Sequence, residues 1–132
     1  MNELFIKYNE ELTSDTQVDE TNIKDQQMKL IANKHKWASR LIQAKQEFTK
    51  LEKLKFQTIE GLSQKIQSSS NVKVTDVTAR RAAESHDAIK PLIEKLDEQK
   101  LLIEYLERVQ DIMKSMTYDI KNIIDILKLE TL

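Results

Sequence analysis

The chain has 132 residues, with one glycine (Gly61), one proline (Pro91), no cysteine, 33% charged residues and a formal net charge of −1. Average usage gives roughly nine glycines and seven prolines at this length, so turns are scarce and long helices must fill the chain, and without cysteine there is neither a disulfide framework nor a thiolate metal site. The charge is unevenly spread: residues 1–22 hold six acids against one base, residues 23–66 ten bases against four acids, and residues 67–132 twelve acids against ten bases, which puts any polyanionic partner on the middle segment.

In chain order, Glu3 to Leu12 reads as a short amphipathic helix with Leu4, Phe5, Tyr8 and Leu12 on one side. The opening MNELFIKYNEEL lacks the basic flank and apolar block of a signal peptide. No apolar run is long enough to span a bilayer, so no membrane association is expected and a cytosolic setting follows. Thr13 to Asp19 is rich in cap formers and predicts a connection, with Asp19 or Thr21 capping the next helix. That helix is expected over about Thr21 to Gln67. Trp37, Leu41, Ala44, Phe48 and Leu51 recur at steps of 4, 3, 4 and 3, the heptad spacing of helix-on-helix packing. The stripe then shifts to Leu54, Ile59, Leu62 and Ile66, and this break beside Gly61 predicts a bend or a loosened turn.

The run Gln67-Ser68-Ser69-Ser70-Asn71 predicts a loop over 67–75 with Thr75 or Asp76 as the next cap. Helix is expected from Asp76 to about Lys90, a kink or restart at Pro91, and a last helix to about Leu129. Its final third carries the most regular pattern in the chain: Leu106, Val109, Met113, Met116, Ile120, Ile123 and Leu127. A two-stranded coil places charges beside such a seam. Here Tyr105, Ile112, Ile124 and Ile126 flank it, so the stripe is wider than a dimer seam. Either another helix of the same chain covers it, or several subunits do. The predicted oligomerisation residues are Leu106, Val109, Ile112, Met113, Met116, Ile120, Ile123, Ile124 and Leu127. The fold class is all-α: an elongated hairpin of long helices with a coiled-coil-like C-terminal oligomerisation helix. It divides into an N-terminal region (1–66), a linker (67–75) and a C-terminal region (76–132) within one structural domain.

No catalytic chemistry emerges. Ser85-His86-Asp87 holds the residue types of a hydrolase triad, but consecutive residues on a helix point apart and cannot hydrogen-bond in series. His35, within KHKW, is remote from any carboxylate cluster and reads as a solvated or phosphate-contacting side chain. Glu94, Asp97 and Glu98 alternate with Lys95 and Lys100, as on a solvated helix face. One glycine cannot build a phosphate-cradling loop. The chain is therefore read as no enzyme, with no metal and no cofactor. What remains is the basic segment Lys29, Lys34, Lys36, Arg40, Lys45, Lys50, Lys53 and Lys55. At about 100° per residue, Lys29, Lys36, Arg40 and Lys50 share an arc of about 80°, and Trp37 and Phe56 sit beside bases. Cations that pair with phosphates and rings that stack on bases can together track a single strand. The alternative is a structural coiled-coil scaffold or adaptor whose lysine face is ordinary surface. A membrane adaptor is a weaker reading, because the apolar stripe has heptad spacing.

With these features in order, the chain resembles the UvsY family, the recombination mediators of large tailed phages. DTQVDETNI is similar to that family's short acidic stretch, KHKWASRL to its basic segment around one aromatic, and KLEKLKFQTIEG to its basic pair ahead of an aromatic-rich turn ending in glycine. Residues 84–110 run with its charged helix. YLERVQDIMKSMTYDIKNIID resembles its closing helix, most distinctively at Thr117–Asp125. The resemblance implies single-stranded DNA binding by an oligomeric ring, hexamer- or heptamer-like, closed through the C-terminal helix. It also implies loading of a RecA-like recombinase onto DNA covered by single-strand-binding protein, in the cytoplasm of an infected bacterium. The family's DNA-binding basic pair falls on Lys53 and Lys55. With the residue-level reading, the DNA-binding set is Lys34, Lys36, Trp37, Arg40, Lys50, Lys53 and Lys55. The family's aromatic pair before the glycine is Thr58-Ile59 here. The acidic N-terminal tip is expected to meet basic partners or to limit non-specific binding.

Overall fold

The computed structural model describes residues 2–131, and among them the chain is all-helical: α1 (Asn2–Thr16), α2 (Ile23–Ser69), α3 (Asp76–Glu84) and α4 (Lys90–Glu130). No helix among the described residues is long and apolar enough to cross a membrane.

The first helix runs a turn past the predicted Leu12. The threonines expected to open a connection instead bond back into the helix: Thr13 Oγ1 donates to the Asn9 carbonyl at 2.8 Å and Thr16 Oγ1 to that of Leu12 at 2.7 Å. Serine and threonine hydroxyls do this when the preceding turn is already helical. Of the two candidate caps for α2, Asp19 is used. Its carboxylate accepts the N–H groups of Thr21 and Asn22 and the Thr21 hydroxyl, and its carbonyl accepts from Ile23. These donors hold the Asp19 carboxyl below its ordinary range, the Thr21 hydroxyl most of all.

Helix α2 passes Gly61 without interruption, so the shift of the apolar stripe there marks a change of packing partner rather than a break. The loop is shorter than predicted, beginning after Ser69, and Thr75 caps α3 by accepting the Thr78 N–H. The largest departure lies at 85–89. The expected helix to Lys90 ends at Glu84, and a turn follows in which His86 N–H bonds the Ala83 carbonyl and Ile89 N–H bonds that of His86. Pro91 then sits in the first turn of α4, where its missing N–H costs nothing.

Two compact units form: Met1–Gln43 with Leu102–Leu132, and Ala44–Leu101. In the first, the apolar core contains Leu12, Leu30 and Trp37 together with Leu102, Leu106, Val109, Met113, Met116 and Ile120. Gln26 is buried with it and donates to the carbonyls of Ser14 and Gln17, closing the open C-terminal end of α1. In the second, Ile59, Ala83 and Ile89 form the core, with Leu62, Ile66 and Leu92 against it. Ile89, buried in the turn before Pro91, explains why the chain leaves the helix there: it drops an apolar side chain onto α2.

Candidate nucleic-acid interface

The predicted DNA-binding residues fall into two differently placed sets. Lys34, Lys36, Trp37 and Arg40 belong to the first unit. Lys50, Lys53 and Lys55 belong to the second.

In the first unit the acidic helix α1 lies on the basic stretch of α2. Glu11 and Asp15 are one turn apart on α1, and Lys36 and Arg40 are one turn apart on α2, so the two ladders match. Arg40 Nη1 donates to Glu11 at 2.7 Å, Lys36 Nζ to Asp15 at 2.6 Å, and Lys36 also lies 3.6 Å from Glu11. The same Asp15 oxygen accepts the Trp37 indole N–H at 2.9 Å. Tyr8 meets Trp37 edge to face at 5.6 Å, and the Arg40 guanidinium lies over both rings, 4.5 Å from Tyr8 and 4.7 Å from Trp37. Trp37 is 0% exposed, so as it stands it presents no face to a base. Lys34 donates to the Thr117 hydroxyl of α4 at 2.7 Å. The sequence reading named the cations of this cluster and missed its anions. The signal was present: two acids at i, i+4 in the acidic tip and two bases at i, i+4 in the basic segment.

The clamp is pH-sensitive. The Arg40 hydrogen bond holds the Glu11 carboxyl below its ordinary value; burial opposes this, and the charges of Arg40, Lys36 and Lys7 reinforce it. A carboxyl that titrates lower in the folded chain stabilises that fold above its unfolded pKa, and the contribution is lost as pH falls through the folded one. Acidification from pH 7 to below the ordinary glutamate range, about 4, is therefore expected to loosen α1. Trp37 fluorescence should shift to the red before far-ultraviolet helicity falls. Coincident transitions in the two signals would contradict a separate release of α1.

In the second unit the predicted pair divides. Lys53 and Lys55 are two residues apart, which on a helix is about 200° of rotation, and they point to different sides of α2. Lys53 is exposed, with exposed Lys50 about 60° to one side and Phe56 about 60° to the other. Among the described residues no acid pairs with Lys50 or Lys53. Phe56 is 58% exposed, and the Arg80 guanidinium, tied to Glu60, lies 6.0 Å from its ring centre. Half-buried Lys55 faces a cleft with Phe56, Arg80 and Lys100, where Glu52, Glu84 and Asp97 balance the three cations. The outer face of Lys50, Lys53 and Phe56 thus carries two cations in no ion pair among the described residues, with Glu52 lining the shallow depression beside Lys53 and Phe56.

The predicted oligomerisation stripe is largely consumed within the chain. Leu106, Val109, Met113, Met116 and Ile120 are buried in the first unit's own core, while Ile123, Ile124 and Leu127 are half-buried and Ile112 is exposed. Of the two coverings the pattern allowed, the chain's own helices cover the stripe as far as Ile120. The Ser85-His86-Asp87 run lies in the turn after α3 rather than on a helix, and its side chains are engaged separately: Ser85 with the Arg81 carbonyl, His86 Nδ1 with the Ala88 N–H, and Asp87 with Lys90. Among the described residues no cluster of three or more His, Asp or Glu could hold a metal ion.

Solved structures that share this fold include three crystal forms of the bacteriophage T4 recombination mediator protein UvsY. Lattice type IV aligns with a TM-score of 0.76 at 18% identity over 94% of this chain and 96% of that one. Lattice type II aligns at 0.73 and 17% over 96% of each, and lattice type I at 0.72 and 18% over 92% and 97%. No curated protein sequence matches the chain. The family model described as "Recombination, repair and ssDNA binding protein UvsY" matches residues 11–131, a span that takes in the acid–base pairs of the clamp, the Lys50–Phe56 face and all of α4. The chain therefore belongs to the UvsY family of recombination, repair and single-stranded-DNA-binding proteins.

Proposed function

We propose that this protein is a recombination mediator. It binds single-stranded DNA as an oligomeric ring of six or seven copies, and it promotes loading of a RecA-like recombinase onto DNA covered by single-strand-binding protein, in the cytoplasm of an infected bacterium. The observation that carries this reading is the exposed face of Lys50, Lys53 and Phe56, cations in no ion pair among the described residues beside an open ring, in a chain of this family. Assembly is supported by apolar side chains that the single chain leaves in water. Met28 and Ile31 on α2 are 75% and 82% exposed, and Ile126 and Leu129 on α4 are 55% and 70% exposed. A second copy removes such surface from solvent. One basic face holds a strand weakly, whereas a ring presents several to the same strand and raises the effective concentration of each. Displacing a competitor from DNA in this way needs geometry and avidity, and no reacting group.

The test is a titration of the intact protein with a labelled single-stranded oligonucleotide from low to high salt, with solution mass followed in parallel. The logarithm of affinity should fall linearly with that of salt, at about −0.7 per phosphate neutralised, and the protein should run as an oligomer with and without DNA. Affinity that is the same at both ends of the salt range would sink the reading. Absence of binding at low salt would favour the scaffold.

A further inference from the structure

The clamp between α1 and α2 has the form of a site already occupied. Two carboxylates one helical turn apart, about 6 Å along the axis, sit on Lys36 and Arg40, and the Tyr8 ring meets the Trp37 indole beneath them. Successive phosphates of an extended strand present the same charges in a similar spacing, while the Tyr8 ring, edge-on to the Trp37 indole at 82°, covers the ring on which a base could stack. Neither cation is deeply buried: the Lys36 side chain is 33% exposed and that of Arg40 19%. The cover is also short. Helix α1 has 15 residues, near the limit below which an isolated helix is marginal in water, so it depends on docking. Its leading turns bury little, with Phe5 44% and Ile6 56% exposed, although the Phe5 ring meets Tyr105 at 4.8 Å.

We propose that the surface beneath α1, formed by Lys36, Trp37 and Arg40, is a second single-strand-binding site. Glu11 and Asp15 hold it shut by standing in for two phosphates, and Tyr8 covers the indole edge-on. The proposal rests on the single-strand-binding reading above and adds a concealed site and its key. A strand first held elsewhere on the protein competes with α1 for the same two cations. When α1 yields, two more phosphates are engaged and Trp37 gains a free face. The cover keeps the site closed to scattered anions and opens it to a polyanion presented at high local concentration.

The experiment compares the full chain with Glu11→Gln plus Asp15→Asn, near-isosteric changes that keep hydrogen-bonding capacity and remove both charges. Glu3→Gln plus Glu10→Gln is the control, since both acids are exposed on the same helix and the change in net charge is identical. The clamp variant should bind a single-stranded oligonucleotide about tenfold more tightly than the control at moderate salt. Its salt slope should be steeper by about 1.4, the value for two further phosphates at about 0.7 each. Equal affinities and slopes in the two variants overturn the proposal and leave the single-strand reading standing. Failure of the unaltered chain and of both variants to bind at low salt overturns that reading itself. Trp37 is the only tryptophan, so a second measurement needs no variant. Saturating the unaltered protein with oligonucleotide should make its fluorescence quenchable by acrylamide or by the stacked bases. Emission that stays fully shielded with DNA bound shows that α1 has not moved and overturns the concealed site, even where the clamp variant fails to fold.

Discussion

Lysines introduced together at Met116 and Ile120 are expected to unfold the first unit rather than merely separate subunits. The two side chains are 5% and 2% exposed in the single chain. Losing buried methionine and isoleucine packing costs about 2–5 kcal/mol each when the site cannot collapse, and an unpaired charge placed in the hole adds more. Domains of this size are stable by only about 5–15 kcal/mol, so the double variant stands at or beyond the limit. Circular dichroism should show a large loss of helicity and no cooperative melt near the parent midpoint. The informative seam variant is elsewhere. Ile126→Lys with Leu129→Lys alters residues already exposed near the C-terminal end of α4, where added positive charge suits the helix dipole. Helicity should be unchanged while solution mass falls, and the melting temperature should drop only by the stabilisation that contacts between copies contribute. If instead the Met116 and Ile120 variant stays folded and only loses mass, those residues belong to an interface between copies. If the Ile126 and Leu129 variant keeps the parent mass, the copies meet on another face.

On DNA, removing charge and removing the ring should leave different signatures. Lys53→Ala should weaken single-strand binding and flatten the salt slope by about 0.7, because one phosphate contact and its released counterion are lost. Lys55→Ala should do less, since Lys55 faces a cleft whose three acids balance its three cations. Phe56→Ala should weaken binding by roughly tenfold, within the about 1–3 kcal/mol that a base–aromatic stack contributes, and leave the slope unchanged, because stacking releases no counterion. Phe56 is more than half exposed, so the melting temperature should hardly move. A flattened slope in Phe56→Ala would mean that the ring positions a cation instead of stacking. An equal loss in the two lysine variants would mean that the strand passes on both sides of α2.

The helical class and most element boundaries were legible because they depend on local rules. Long stretches without glycine or proline, the Thr75 cap and the Pro91 restart each act within a turn or two of sequence. The 85–89 turn was not legible. Pro91 disfavours helix in the turn before it, but the exit as early as Glu84 goes with Ile89 finding a buried place against Ala83 and, thirty residues away, Ile59. The extra turn at the end of α1 was missed because threonine serves equally as a cap or as a back-bonded helix residue. The heptad line of α4 was read as an oligomerisation face, and it is buried within the chain as far as Ile120; periodicity carries no label saying whether the partner is the same chain or another. For the interface, composition located the basic segment, yet charge counting could not separate Lys36 and Arg40, matched by acids on α1, from Lys50 and Lys53, which form no ion pair among the described residues. Lys53 and Lys55 look like a pair in a string of letters. On a helix they are back to back.

The composition of the first unit has a consequence for how the molecule is made. Residues 44–101 are continuous, so that unit can condense as soon as it emerges from the ribosome. The other unit joins residues up to Gln43 with residues from Leu102 onward, and its core needs Leu106 to Ile120 before Leu30 and Trp37 have anything to bury against. Contacts that close so long an intervening chain form late. The earliest-synthesised helices therefore wait, with their apolar stripe in water, for the last helix to be translated. The acidic ladder on α1 is made together with its lysine and arginine partners, 21 and 29 residues apart in the chain, so the residues of these pairs are all present before α4 is made.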